Sequence, residues 1–288
     1  MIFQPIHSRA KQATKPTVLD LRSTPSIEAR IIHLLAGTSD FLDTLSGTKL
    51  KTTTDYSTLG APSSKKGKKS LTKTLIANGI DAKSIDALLL KSISQNSYYS
   101  EIFDELSRAI YLIQLDRQVQ AFLHIYRALE RISYSFPMIH AAVSQDYKGT
   151  FLELKKLLSE EKIEELGFFK KFTSSFIDQQ YLNATTKINI THTNPTISTA
   201  HYNTLNLIFY NKAITASVPN TEITLKYAGV LSGIITLRNR YFHFMSGRTD
   251  NLTGLNIIYP DDFFRPLNPI FLNWISFIYF RILEQRTK

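Results

Sequence analysis

The helical spacing of apolar residues is the feature that most restricts the fold. From Asp116 to Pro137, apolar side chains alternate at intervals of three and four residues, which places them on one face of a helix. They are Phe122, Ile125, Leu129, Ile132 and Phe136. A preceding helix is predicted from Ser100, its N-cap, to about Leu115. A strongly apolar closing helix is predicted over Leu267–Leu283. The chain is therefore expected to be predominantly all-α.

The first 98 residues are expected to form a basic N-terminal extension with short helices. A helix is predicted to begin at Ser26 and to carry apolar residues as far as Leu45. Gly37 interrupts it, so two short helices are expected as readily as one. Residues 47–73, rich in Thr, Ser, Gly and Lys, predict a mobile loop. Two further short helices are predicted between Leu71 and Ile93.

The remaining residues, 99–288, are expected to form the main helical domain, with an insertion at about 144–218. The first part of this insertion has the charged amphipathic pattern of helices. From Tyr181 to Ser217, Thr, Asn and Ile alternate in stretches such as TTKINITH, which predicts short strands or irregular structure.

Charge is concentrated near the N-terminus. The chain has a net charge of +10, and its first 75 residues contain 12 Lys and Arg against 5 Asp and Glu. This balance favours a polyanionic partner, with nucleic acid as the first candidate, although solubility alone also explains it. The mobile loop contains the most basic run, KKGKK. Its lysines are predicted to contact an RNA backbone or to form an idle solvated tether: Lys65, Lys66, Lys68 and Lys69.

A cluster of polar residues interrupts the apolar stripe of a helix predicted from Glu222 to Phe244. Arg238 stands where another Leu is expected, and a buried guanidinium requires an anion or a carboxylate. Asn239 and His243 are four residues apart and are therefore expected to be neighbours on the helix surface. An Arg fork suits a phosphate and a His suits proton transfer, so the three residues predict acid–base chemistry on a phosphodiester without a metal.

The string RNRYFH matches RNxxxH, a form of the R-x4-6-H motif of the HEPN superfamily, which the chain resembles. The resemblance extends over residues 100–136, where AFLHIYRALERI is typical, and over residues 222–286. It implies a HEPN-like helical bundle and a metal-independent endoribonuclease that uses no cofactor. Such proteins are often toxins or effectors of antiviral defence and abortive infection, and an antitoxin or sensor partner is then expected.

The resemblance also assigns roles to individual residues. Arg238, Asn239 and His243 are the expected catalytic residues, and two protomers of a homodimer are expected to form one composite active site. Arg240 is predicted to be solvated or to contact phosphate peripherally. Glu130 is predicted to hold Arg238 or orient His243, although an ordinary surface pair with Arg127 or with Tyr134 explains it equally well.

Composition excludes several other classes of protein. The chain has no Cys, so it has no disulfide, thiolate nucleophile or thiolate metal site. The start of the sequence lacks the sustained apolar run of a secretory signal, which predicts a cytoplasmic location. The closing helix is interrupted by Pro and Asn, so a core helix or dimer surface is favoured over a membrane span. The main alternative function is a non-catalytic helical module that binds nucleic acid or a partner protein.

Overall fold

The computed structural model describes residues 2–6, 19–21, 25–64, 70–158, 165–209, 213–243 and 250–288. The protein is mostly helical (62%) with small antiparallel sheets, which confirms the predicted predominance of helix. The helices of the described part are α1 (Ile27–Leu35), α2 (Leu71–Ala77), α3 (Ala82–Ser92), α4 (Asn96–Gln114), α5 (Gln118–Val143), α6 (Tyr147–Leu158), α7 (Glu165–Phe176), α8 (Gln179–Leu182), α9 (Pro195–Ile208), α10 (Tyr227–Leu237), α11 (Pro260–Phe264) and α12 (Leu267–Thr287). A 3₁₀ turn (Ile93–Gln95) precedes α4, and a π-helical turn (Arg238–Phe242) follows α10.

The strands form three small antiparallel sheets within the described ranges. They are β1 (Phe3–Pro5), β2 (Phe41–Asp43), β3 (Lys49–Leu50), β4 (Thr54–Asp55), β5 (Ser63–Ser64), β6 (Thr185–Asn189), β7 (Ile214–Val218) and β8 (Glu222–Lys226). The sheet orders are β1-β2-β3, β4-β5 and β6-β8-β7. The segment 181–217 was predicted to hold short strands or irregular structure, and β6 and β7 confirm the strands. The prediction is wrong for Pro195–Ile208, which forms the helix α9, with Asn194 as its N-cap and Pro195 in its first turn.

The α4–α5 hairpin and α12 form the centre of the molecule. α5 packs against both α4 and α12, and the predicted stripe of α5 is buried along its length. α12 has buried residues on all sides as far as Leu283, and the helix continues to Thr287. Two amides anchor this helix, because Asn268 donates to the Gln118 carbonyl at 2.8 Å and Asn273 donates to the Tyr56 carbonyl at 2.6 Å. Within the described ranges, no helix combines the length and apolar character needed to cross a membrane.

The helix predicted to run from Ser26 towards Leu45 ends earlier, at Leu35. Ser26 caps its N-terminus as expected, but Gly37 adopts a positive φ of 64°, which glycine tolerates best. A Cβ at Gly37 would also lie 2.4 Å from the Thr54 carbonyl oxygen. The chain therefore leaves the helix, and Phe41–Asp43 forms β2 in the middle of the first sheet.

The segment at 47–73, predicted as a mobile loop or linker, contains strands in its described part. Residues 47–64 contain β3, β4 and β5, and Asp55 is buried and accepts bonds from the amide and hydroxyl of Ser57 at 2.9 and 2.6 Å. Local polar contacts of this kind organise a segment that has few apolar residues. The lysines at 65–69 lie outside the described residues. The predicted helix pair after Leu71 is confirmed as α2 and α3.

Two boundaries of the central hairpin differ from prediction. α4 begins at Asn96, one turn before Ser100, because the Asn96 side chain accepts from the Ile27 amide at 3.0 Å and fixes the chain there. α5 continues through Pro137 to Val143, although proline removes a helical hydrogen bond. Pro137 is buried and α7 packs against α5, so tertiary packing overrides the local preference.

The helix predicted from Glu222 begins five residues later. Glu222–Lys226 is β8, whose Ile223 and Leu225 are buried on one side between β6 and β7. Burial of every second residue is the period of a strand. The sequence did not separate this short strand from the helical apolar stripe that directly follows it. A tight turn at Asn220, which has a φ of 60°, joins β7 to β8.

The N-terminal segments pack on the helical centre. α1 packs against α4, and the buried Glu28 of α1 pairs with Arg286 of α12. Apolar residues from both sides of residue 98 belong to one hydrophobic cluster. The division at residue 98 stays a prediction.

Candidate active site at the motif turn

A π-helical turn sets the geometry of the motif. The amide of His243 donates to the carbonyl of Arg238 at 3.2 Å, which closes a turn of five residues. In an α-helix, residues five apart lie roughly 140° apart around the axis. The wider turn instead returns the chain to nearly the same side after five residues, and such turns are frequent at functional sites. Arg238 and His243 therefore face the same way.

Aromatic packing holds this turn against the core. The ring of Phe242 stacks on Phe122 of α5, with centroids 5.4 Å apart and planes inclined by 12°. Tyr241 packs against Phe264 of α11 at 5.9 Å. Since Phe122 and Phe264 are themselves buried and 4.9 Å apart, the position of the turn is tied to α5 and α11.

The turn and the α4–α5 hairpin enclose a cleft of about 490 Å³. Its polar lining is dominated by cationic and imidazole groups. The polar or charged residues that line it are Arg108, Tyr111, Gln120, His124, Tyr126, Arg127, Glu130, Arg238 and His243. A cleft with several Arg side chains attracts anions, and guanidinium groups bind phosphate oxygens in pairs.

Arg238 is oriented from two directions. Its guanidinium carbon lies 5.1 Å from the centroid of the Tyr126 ring, a favourable cation–π arrangement. Its Nη1 donates to Oδ1 of Asn239 at 3.1 Å. The side chain is half-buried, so the stack and the amide together fix a charge on the cleft wall.

The three predicted catalytic residues are brought together differently from the expected arrangement. Arg238 and His243 both line the cleft, and His243 is exposed to solvent. The expected neighbours were Asn239 and His243, on the assumption of α-helical geometry. The π-helical turn instead aligns Arg238 with His243, while Asn239 contacts Arg238.

The other predicted site residues have separate positions. Glu130 lines the same cleft as Arg238 and His243, and its contact with either stays a prediction. Arg240 forms an ion pair with Asp250, with Nε and Oδ2 3.0 Å apart, and its carbonyl accepts from the Leu252 amide at 2.8 Å. Phosphate binding by Arg240 stays a prediction. The four lysines of the basic run, Lys65, Lys66, Lys68 and Lys69, lie outside the described residues, so their role is equally a prediction.

Sequence reasoning missed a charged cluster on the α4–α5 hairpin, two members of which, His124 and Arg127, line the cleft. Nδ1 of His124 lies 2.6 Å from Oε2 of Glu105, and Nε of Arg127 lies 3.2 Å from Oε1 of the same carboxylate. Burial raises the pKa of Glu105, but the hydrogen bond from His124 and the charges of Arg127 and Arg108 outweigh it, so the pKa lies below its ordinary value. Glu105 is thus held as an anion.

The sequence contained a partial signal for this cluster. From the sequence alone, His124 is more typical of a packing or surface residue than of a catalyst. Glu105 lies within the apolar face of α4 and is buried, where a carboxylate needs a partner. The partner could not be identified before the register of the α4–α5 hairpin was known.

No family model, curated protein or solved structure matches this chain. Within the described ranges, no group of three or more His, Asp or Glu side chains could hold a metal ion. The functional argument therefore depends on the geometry of the cleft and on the motif that forms one of its walls.

Proposed function

We propose that the protein is a metal-independent endoribonuclease of the HEPN type. The observation that supports this most directly is the π-helical turn, which aligns Arg238 and His243 on one wall of a cationic cleft. A guanidinium and an imidazole at one spot suit charge stabilisation and proton transfer on the same phosphodiester.

The reaction is an attack of the ribose 2′-hydroxyl on the adjacent phosphorus. The bond from the 2′-oxygen to phosphorus forms while the bond from phosphorus to the 5′-oxygen breaks. The products are a 2′,3′-cyclic phosphate and a free 5′-hydroxyl. The nucleophile belongs to the substrate, so the protein supplies orientation, charge and proton transfer.

Each motif residue has one role in this reaction. His243 exchanges protons with the reacting oxygens, for which its exposed position at the cleft is suited. Arg238 stabilises the negative charge that develops on the phosphoryl oxygens. Asn239 keeps the guanidinium in place through the 3.1 Å bond.

The wider proposal follows the resemblance of the motif. Two protomers place their motif turns in one composite cleft, and the protein acts in the cytoplasm as a toxin or an effector of antiviral defence. An antitoxin or sensor then restrains it. Arg240 and the lysines at 65–69 add contacts to the RNA backbone, and such contacts make binding strongly salt-dependent.

The test is cleavage of total RNA by the purified protein in the presence of EDTA, with analysis of the new ends. The wild type is expected to yield cyclic phosphate and 5′-hydroxyl ends. His243→Ala is expected to reduce cleavage by at least about 100-fold, because an acid–base group is removed. Arg238→Ala is expected to reduce it by about 100- to 1,000-fold, because a group that stabilises the developing charge is removed. Melting temperature and solution mass are measured on each variant to verify folding and assembly.

His192→Ala provides a matched control, because His192 lies near Asp262 and away from the cleft. It should cleave as the wild type does. Undiminished cleavage by folded His243→Ala would refute the assignment, and RNA binding without cleavage by the wild type would favour the non-catalytic binding module.

A further inference from the structure

A second histidine, contributed by α5, lines the same cleft as the motif turn. His124 of α5 and His243 line the same cavity. The side chain of His124 is only 20% exposed and that of Glu105 only 9%, so the hydrogen bond between them is largely shielded from water. A shielded carboxylate–imidazole bond fixes the ring more firmly than an exposed one.

The Glu105 carboxylate determines which nitrogen of His124 can serve the cleft. An ionised carboxylate only accepts hydrogen bonds, so Nδ1 of His124 carries a proton and donates it to Oε2 across 2.6 Å. Nε2 is then the nitrogen that can exchange a proton with a ligand. This is the general arrangement in which a carboxylate orients a catalytic imidazole.

The Glu105 carboxylate can also stabilise a positive charge on the His124 ring. It is ionised, and its second oxygen is held by Arg127 at 3.2 Å. The other charged or titratable groups around the cleft are Arg108 of α4, Glu130 of α5, and Arg238 and His243 of the motif turn. Arg108 is partly neutralised by Asp104 at 3.0 Å. The buried carboxylate is thus the counter-charge in direct contact with His124.

We propose that His124 is a second catalytic acid–base residue, the general acid that protonates the departing 5′-oxygen. The inference rests on the proposed ribonuclease function and extends it. The 2′-hydroxyl gives its proton to His243, the 2′-oxygen bonds to phosphorus, and the bond from phosphorus to the 5′-oxygen breaks as Nε2 of His124 delivers its proton. Proton exchange with water then resets both rings. Glu105 is a positioning residue that acts through His124.

The experiment uses two forms of one RNA oligonucleotide containing a linkage that the wild type cleaves in total RNA. One form has the natural 5′-oxygen and the other has sulfur in its place. A thiolate leaves without protonation, because a thiol is far more acidic than an alcohol. His124→Ala should cleave the oxygen substrate at least about 100-fold more slowly than the wild type and should regain most of that loss on the sulfur substrate. His243→Ala should be slow on both substrates.

His124→Asn separates catalysis from packing, because its amide can still donate to Glu105 but cannot transfer a proton. It should be as slow as His124→Ala on the oxygen substrate while melting near the wild-type temperature. His140→Asn is the matched control on the same helix, since His140 contacts Gln285 at 2.8 Å and lies outside the cleft. It should cleave both substrates normally.

Three results would overturn the proposal. They are wild-type rates for His124→Asn, equal impairment of His124→Ala on both substrates, and rescue of His243→Ala rather than His124→Ala by sulfur. Each of these leaves the ribonuclease function standing. A wild type that cleaves no RNA refutes the function itself and the inference with it.

Discussion

The ion pair between Glu28 and Arg286 joins the N-terminal helix to the last turns of the chain. Glu28 is fully buried in α1, and the Arg286 side chain is 12% exposed in α12. Tyr279 donates to the same carboxylate at 3.4 Å. Burial lowers the pKa of Arg286, but the facing Glu28 carboxylate outweighs it and raises that pKa above its ordinary value. Arg286 is therefore charged at neutral pH.

Glu28→Ala should destabilise the protein by about 3–4 kcal/mol. Removing one partner of a buried pair typically costs about 3–5 kcal/mol, because the remaining charge stays buried without compensation. The small residual exposure of Arg286 places the expected cost in the lower part of that range. Glu28→Leu combined with Arg286→Met should recover most of the loss, since it removes both charges and keeps apolar volume.

The measurement is equilibrium unfolding in urea followed by circular dichroism. With a slope of about 3 kcal/mol per molar urea, the midpoint of Glu28→Ala should fall by roughly 1 M. Lys187→Ala is the matched control, because it removes an exposed cross-strand pair with Glu222 and should change stability by less than about 1 kcal/mol. A midpoint for Glu28→Ala within 0.2 M of the wild type, taken roughly as the uncertainty of such data, would refute the reasoning.

Three further predictions concern the cleft and the helix that leads to it. Glu105→Gln should cost about 1–3 kcal/mol at pH 7. A carboxylate with a lowered folded-state pKa contributes its full stability above the unfolded pKa of about 4.3 and loses it as the pH falls through the folded-state pKa. The difference from wild type should therefore shrink below about pH 4 and vanish only at lower pH, which melting curves at several pH values would check. Arg238→Lys keeps the charge but loses the stack on Tyr126 and the bond to Asn239, so RNA cleavage should fall roughly 10- to 100-fold at unchanged melting temperature. Gly233→Ala places a Cβ 2.0 Å from Cε1 of Phe209 and should destabilise by about 1–3 kcal/mol, whereas Gly254→Ala, with nothing within 4 Å, should be neutral in the same thermal assay.

The long helices were predictable because their apolar spacing reports burial directly. The stripe of α5 and the apolar run of α12 are both found where the sequence indicates them. The ends of these helices depend on contacts with distant residues. Pro137 is tolerated inside α5 because α7 packs there, and α4 begins at Asn96 because its side chain binds the amide of Ile27.

The motif was predictable as a set of residues but not as a geometry. The sequence indicated that Arg238, Asn239 and His243 belong together. The prediction that Asn239 and His243 are neighbours assumed α-helical geometry. The amino-acid types in residues 238–243 do not predict a π-helical turn. Its wider hydrogen bond from His243 to Arg238 depends on neighbours that are remote in sequence.

Those neighbours explain how an unfavourable turn persists at the site. A π-helical turn is rare, so its position must be determined by the surrounding structure. Phe242 is stacked on Phe122, which lies one turn before Tyr126 on α5, and Tyr126 in turn supports the Arg238 guanidinium. His124 lies between these two residues in sequence but points to another side of α5. The same helix thus contacts the motif turn through Phe122 and the Arg238 guanidinium through Tyr126, and it also carries His124, the second imidazole of the proposed mechanism.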